Sequence, residues 1–368
     1  MLGVTTDNFV HLSKTSKTDM KFLLYGANGY TAKLIIQESL KQGLSPVLAG
    51  RTESKVKKVA EDFELDYIIF DLNDKNRIVE VLNDFTVCLN AAGPFSQTAK
   101  VMIEACLASN THYLDITGEI AVFELAKSYG KKAEEANLCV MPGVGFDVVP
   151  SDCLANFLHE QLPEATHLEL AFTSIGGGLS HGTASTMVEN LGEGSAARVN
   201  GKIKKVAVGH LSKKIDFGEV KHYCMTIPWG DVSTAYSSTK IPNICVYTGV
   251  PKRSIQMMKF QSIFNPLLRT SLVKKIAQNW VDKNLTGPSE KENTQGKSLL
   301  WGKVWNDNKA VEARLTCREG YLLTALCSVH ITKNILGGQF KSGYQTPASA
   351  YGHELILAIE GSEMELVS

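Results

Sequence analysis

The chain has 368 residues, 44% hydrophobic and 21% charged, with Lys+Arg and Asp+Glu both at 38. This is a globular composition, since a disordered chain carries fewer apolar residues and more net charge. Zero net charge excludes a global basic field that would draw the protein to nucleic acid or an anionic membrane, leaving only local patches.

From Lys21 to about Val140, strand and helix signals alternate. The expected strands are 21–25 (KFLLY), 45–49 (SPVLA), 67–71 (YIIFD), 86–90 (TVCLN), 112–115 (HYLD) and 138–141 (LCVM). Helical spacing falls between them at 31–40, 55–63, 77–82, 97–108 and 120–137. Short apolar strands alternating with helices predict a doubly wound parallel sheet of Rossmann type, covered on both faces.

After Pro142 the pattern changes. A helix is expected over 148–162, and strands over 168–174, 224–227, 244–247, 311–317 and 323–330, forming a second α+β unit with a mixed, mainly antiparallel sheet. A long apolar and basic helical stretch covers 255–284. The polar, turn-rich segment 286–297 (TGPSEKENTQGK) is expected as a surface loop. Thr346-Pro347 is N-cap and first-turn chemistry, so a last helix should run to about Ile359, with a strand over 354–359 as the alternative. The expected division is a polar extension 1–19, a nucleotide-binding domain 20–150, a substrate and dimerisation domain 151–335, and a segment 336–368 returning to the first domain.

No apolar run reaches the ~18–20 residues that span a bilayer, and the first twenty residues lack a signal peptide's apolar core. The eight cysteines form no CxxC pair and no Cys/His cluster with zinc spacing, so no metal site is expected. Reduced thiols without an export signal point to the cytoplasm.

The strongest local signal is Gly26-Ala27-Asn28-Gly29-Tyr30-Thr31-Ala32, directly after the first strand. Gly26 permits the tight turn, Gly29 allows the backbone to approach a pyrophosphate, and Ala32 lets the helix pack on the strand. Asn28 stands where the usual middle glycine would be. The helix N-terminus at Tyr30 and Thr31 offers free N–H groups to phosphate. At the second strand's end, Arg51 and Thr52 stand where an NAD site has an acid, so a 2′-phosphate and hence NADP(H) are favoured. Glu53 is the counter-argument. Asp71 and Leu72 are placed to frame an adenine, and Ala91, Ala92, Gly93 and Pro94 to approach the nicotinamide ribose.

Together these segments resemble the saccharopine-dehydrogenase-like family, which includes the trans-acting enoyl reductases. The matching residues are GANGYTA (26–32), AGR (49–51), NAAGPF (90–95), ACLASNTHYLDITGE (105–119) and PGVGFDVVPSD (142–152). The likeness continues through GDVSTAYSS (230–238), GPSEKE (287–292), GYLLTA (320–325) and GYQTPASAYG (343–352). The resemblance implies hydride chemistry on a C=C or C=N bond, and a dimer through the second sheet. Between 142 and 250 Arg198 is the only arginine, which is thin for a substrate joining two amino acids. A small-molecule or lipid-like substrate with less charge fits better.

Three residues are candidates for proton transfer. Asp147 resembles the acid that follows a glycine turn in saccharopine reductases, with helix capping as its alternative role. Glu119 is placed as a relay or a cap, and His181 lies in the glycine-rich segment 176–183 (GGGLSHGT). Two other readings stay open: a non-catalytic NADP-binding sensor or partner protein, and an amino-acid-conjugating dehydrogenase.

Overall fold

The computed structural model describes residues 21–178, 180–253, 261–285 and 287–367. The extension 1–19 and part of the expected 255–284 helix lie outside them. Six strands in chain order build the first sheet: β1 (Phe22–Tyr25), β2 (Val47–Gly50), β3 (Tyr67–Ile69), β4 (Val87–Asn90), β5 (His112–Asp115) and β6 (Cys139–Met141). All pair in parallel in the order β6-β5-β4-β1-β2-β3. This is the Rossmann order, and β1, β2, β4 and β5 are buried along their whole length because helices cover both faces.

The second sheet holds β7 (His167–Ile175), β8 (Ser195–Val199), β9 (Lys202–Val206), β10 (Ser212–Asp216), β11 (Lys221–Thr226), β12 (Asn243–Gly249), β13 (Lys297–Trp305) and β14 (Ala310–Arg318). The chain then returns to the first sheet, where β15 (Gly343–Tyr344) pairs with β6, and ends with β16 (Glu363–Leu366) beside β14. The second sheet runs β10-β11-β12-β7-β13-β14-β16, with β12 and β7 parallel and its other pairs antiparallel.

This second sheet is strongly curled. Five strand spacings, ~24 Å if flat, would separate β10 from β14, yet Arg314 reaches Asp216 at 3.5 Å. Lys213 on β10 likewise crosses the concave face to pair with Glu169 on β7 and to lie 4.5 Å from the Trp301 ring. The concave side forms an open cleft of about 790 Å³ bordered by Glu169, Lys213, Trp301, Glu312 and Arg314. Several of its charges pair with one another, through Lys213–Glu169, Lys303–Glu312 and Arg314–Asp216.

The opposite face of the sheet carries Leu168, Leu170, Leu300, Val304 and Leu315 into an apolar core continuous with Leu24, Leu48 and Leu89 of the first sheet. Helix Val149–Gln161 bridges the two, and Gly302 on β13 is the point of closest approach. A Cβ there would stand 2.5 Å from Leu158 Cδ1 and 3.2 Å from Leu154.

Three expectations are corrected. Residues 323–330 form part of helix Gly320–Leu336, which packs on helix Tyr30–Lys41 and β4. It is buried on nearly every side, so its apolar residues run together without helical periodicity, and Glu319 caps its start. Segment 286–297 is more than a loop, because Ser289 and Glu292 form a capping box that starts helix Glu290–Gln295. The C-terminal helix is split by Gly352, at φ 76°, into Pro347–Tyr351 and Glu354–Leu357. Among the described residues no helix is long and apolar enough to cross a membrane, and no acid, His or Cys cluster has metal-holding geometry.

Gly302→Ala should destabilise the protein by about 1–3 kcal/mol, as overpacking at a tight helix–sheet contact does. Urea denaturation should show a lower midpoint with an unchanged slope.

Candidate functional site

The carboxyl ends of the first sheet's strands carry the nucleotide candidates. Gly26 takes φ 85°, and a Cβ on it would lie 2.7 Å from Ala92 N and 2.9 Å from Ala91 C. The β1 turn is thus pressed directly against the β4 turn, with no room for a side chain between them. Gly29 is the N-cap of helix Tyr30–Lys41, whose first turn has neither a side-chain cap nor an acid. Free N–H groups and the helix dipole therefore face outward beside half-buried Tyr30 and Thr31, which fits a pyrophosphate.

Arg51 and Thr52 are exposed beyond β2, and Thr52 leaves its hydroxyl uncommitted at the start of helix Glu53–Phe63. Arg51 and Asp71 both lie within electrostatic reach of Tyr25, whose hydroxyl is pushed up to about 12, mainly by burial. That places the two on one rim. Asp71 accepts from the Asn73 backbone and side chain, and Leu72 is half-buried beside it. Asn28 is exposed next to Gly50. Ala91, Ala92, Gly93 and Pro94 form the β4 turn leading into helix Phe95–Ala108.

A buried polar chain shapes these tips. Asn90 donates to Thr98 and Tyr113 and accepts from Ala92 N. Tyr113 donates to Asp115 at 2.7 Å, and Asp115 accepts from Thr117 N and Gly143 N. Burial raises the Asp115 carboxyl to about 6 against these hydrogen bonds.

The three proton-transfer candidates are not brought together as one set. Glu119 accepts from Phe95 N and Ser96 N at 2.8 and 3.1 Å, so its carboxylate caps the helix after β4. His181 opens helix His181–Glu189, and its Nε2 meets Asp282 at 2.8 Å. Asp147 differs from both. The residue is half-buried, and its carboxyl lies against the 115–119 segment, where a Cβ on Gly118 would be 2.5 Å from Oδ2. Among the described residues no hydrogen bond to it is found, and burial alone pushes it up to about 7.

Several neighbours were not visible in the sequence. Phe146 stands edge-on to Phe172 at 5.9 Å, and Phe172 packs on Trp229 at 4.6 Å, so an aromatic row leads away from Asp147. The Tyr30 ring meets Tyr321 edge-on at 5.3 Å, while its hydroxyl donates to Pro288 O and accepts from Asn293. The 287–296 segment is thereby tied to the residue that follows the glycine turn. Asp152 is spent on Ser238 and Ala348 N, consistent with a structural role.

The family model for the saccharopine dehydrogenase NADP binding domain matches residues 22–141. Over these residues the chain is similar to that NADP-binding domain. The match spans β1 to β6, so it covers the turns carrying Gly26, Arg51, Asp71 and Ala91. A lipid droplet localized protein of Caenorhabditis elegans is 27% identical over 219 residues, covering 54% of this chain and 50% of that protein. A trans-acting enoyl reductase of Mycobacterium ulcerans is 26% identical over 171 residues, covering 44% of this chain and 40% of the enzyme. The matched stretches thus span half or less of these relatives. Saccharopine dehydrogenase (L-Glu forming) of Saccharomyces cerevisiae superposes with a TM-score of 0.65 at 12% identity, over 95% of this chain and all of that one. The fold beyond the NADP-binding domain is therefore shared as well.

Arg51→Ala should weaken NADPH binding by about tenfold or more, the loss of one charge-assisted phosphate contact, and leave NADH binding unchanged. Fluorescence titration with both nucleotides checks this. An equal loss for both would move the selectivity away from Arg51.

Proposed function

We propose that this protein is an NADP(H)-dependent reductase of a C=C or C=N bond in a weakly charged substrate, with Asp147 as the proton donor. The observation that carries the reading is the Asp147 carboxyl. The residue is half-buried beyond the sheet's carboxyl ends, where substrates of such sheets sit, and among the described residues its carboxyl has no hydrogen-bond partner. Bound NADPH supplies the hydride. In this reading the backbone of Gly26–Tyr30 holds the pyrophosphate, Arg51 and Thr52 the 2′-phosphate, and Asp71 and Leu72 the adenosine. The turn at Ala91–Pro94 lies along the nicotinamide ribose. One atom of the double bond accepts the hydride, and Asp147 delivers its proton to the other. An acid poised near 7 suits this step, because it is protonated and still acidic at working pH.

The surroundings favour a substrate with little charge. Phe146, Phe172 and Trp229 offer an apolar path next to Asp147. Arg198 is buried and committed, donating to Val232 O and Gly201 O and stacking on Tyr236 at 4.1 Å. Lys213 is committed to Glu169 on the far face of the second sheet. An amino-diacid would lack these cations as partners, which weighs against an amino-acid-conjugating activity. The eight free thiols, seven of them buried, accord with a reducing compartment such as the cytoplasm.

NADPH consumption should be followed with an enoyl thioester, a cyclic imine, and lysine plus a 2-oxo acid. Turnover is expected with one of the first two and not the third. Asp147→Asn should lower it by about 10²–10⁴, the usual worth of a general acid, while NADPH binding persists. The rate of reduction should fall as pH rises through about 7. Nucleotide binding without turnover of any of these would favour the sensor or partner reading. The raised carboxyl also makes the fold lose stability between its ordinary value of 3.8 and about 7 as pH rises. Asp147→Asn should flatten that dependence in a thermal melt.

A further inference from the structure

Helix Ser271–Asn284 shows solvent an apolar stripe. Leu272, Ile276 and Trp280 recur every fourth residue and are 67%, 61% and 59% exposed. The opposite side, with Ala277 and Val281, already packs on Ala184 and Val188 of helix His181–Glu189. The outward stripe is therefore not left over from the core. Phe264 and Leu267 on the preceding helix and Met187 on the neighbouring one are equally exposed, which extends the stripe into a patch. Contiguous apolar surface of this kind marks an interaction site. Between the two helices lies an apolar groove of about 340 Å³, bordered by Met187, Val188, Ala277, Trp280, Val281 and Leu285.

Charge identifies the occupant. Over 264–285 the chain has Arg269, Lys274, Lys275 and Lys283 against the single acid Asp282, in a protein of zero net charge. Lys275 and Lys283 are exposed and, at 100° per residue, fall on the same side of the helix as Leu272 and Ile276. Apolar side chains interleaved with lysines, with a tryptophan at the edge, are what a helix lying in a lipid headgroup layer presents. A protein partner would be expected to bring acids to meet the lysines. An anionic phospholipid surface brings charge and an apolar layer together.

We infer that this face docks the protein on an anionic phospholipid surface, with helix Ser271–Asn284 lying in the plane of the headgroups. The orientation follows from the packing, since the inner side of the helix is held by helix His181–Glu189. Leu272, Ile276 and Trp280 then enter the acyl boundary, while Lys275 and Lys283 reach phosphate.

The test is co-sedimentation of the full chain with vesicles of phosphatidylcholine, alone or with one quarter phosphatidylglycerol. Binding to the mixed vesicles is expected, weakening as salt is raised, with much less binding to phosphatidylcholine. A triple Leu272→Ser, Ile276→Ser, Trp280→Ser variant should bind at least about tenfold more weakly while keeping the circular dichroism spectrum and NADPH affinity of the parent. Lys275→Glu with Lys283→Glu should remove the preference for the anionic vesicles, a second readout that leaves the apolar stripe intact. Parent protein that stays in the supernatant with both vesicle types would overturn the proposal. So would a dimer in solution that the triple variant converts to monomer, since a second copy would then own the patch.

Discussion

The buried chain Asn90–Tyr113–Asp115 sets where everything else at the nucleotide end can be. It links β4, β5 and the turn after β6 through side chains with almost no exposed surface, each satisfied by the next. A buried polar group left without its partner loses its solvation with nothing in return. The three strand ends are therefore fixed as a unit, and Asn90 extends that order to Ala92 N. Ala91 and Ala92 can then lie against Gly26 only because Gly26 has no side chain and accepts a positive φ. The β1 turn and the β4 turn are two sides of one contact.

Burial sorts the carboxyls beyond this frame into different kinds. Asp115 and Asp152 each accept several hydrogen bonds, which recover part of what they lose in desolvation. Asp231 is fully buried and pushed well above the ordinary range, chiefly by desolvation, with the charges of Asp152 and Asp147 adding to it. Asp147 is raised as well, yet the residue is only half-buried, and among the described residues no hydrogen bond holds its carboxyl in one protonation state. A proton donor needs this combination, because a fully solvated aspartate is ionised at neutral pH and a fully enclosed one cannot reach substrate.

The first sheet was legible in the sequence for a simple reason. Strands covered on both faces read as continuous apolar runs, and 22–25, 87–90 and 112–115 differ from their expected bounds by a residue at most. Asp147 is singled out in the sequence by its place after a glycine turn, whereas nothing local reveals that Glu119 is drawn into capping a helix that begins 24 residues earlier. In the second half the same logic misled. Helix Gly320–Leu336 is buried nearly all round, so its apolar run carries no period and imitates a strand. Strand β13 was missed because its lysines, glycine and tryptophans serve two unlike faces, a helix-packed one and the concave one. The aromatic row and the Tyr30–Pro288 contact join residues up to 258 positions apart, and no local pattern encodes them.

The long-range contacts also explain how the glycine-poor turn after β1 is held. With Asn28 in place of a middle glycine, the turn gains a side chain that points toward Gly50 and out to solvent. The following Tyr30 is locked from above by Tyr321 and by Pro288 and Asn293, all contributed by the second half of the chain. Tyr321 in turn receives the backbone N–H of Ser180 at the start of helix His181–Glu189. The far end of that helix meets Gln97 through Glu189, just past the β4 turn. One helix of the second unit thus runs from the contact beside the β1 turn to the helix that follows the β4 turn.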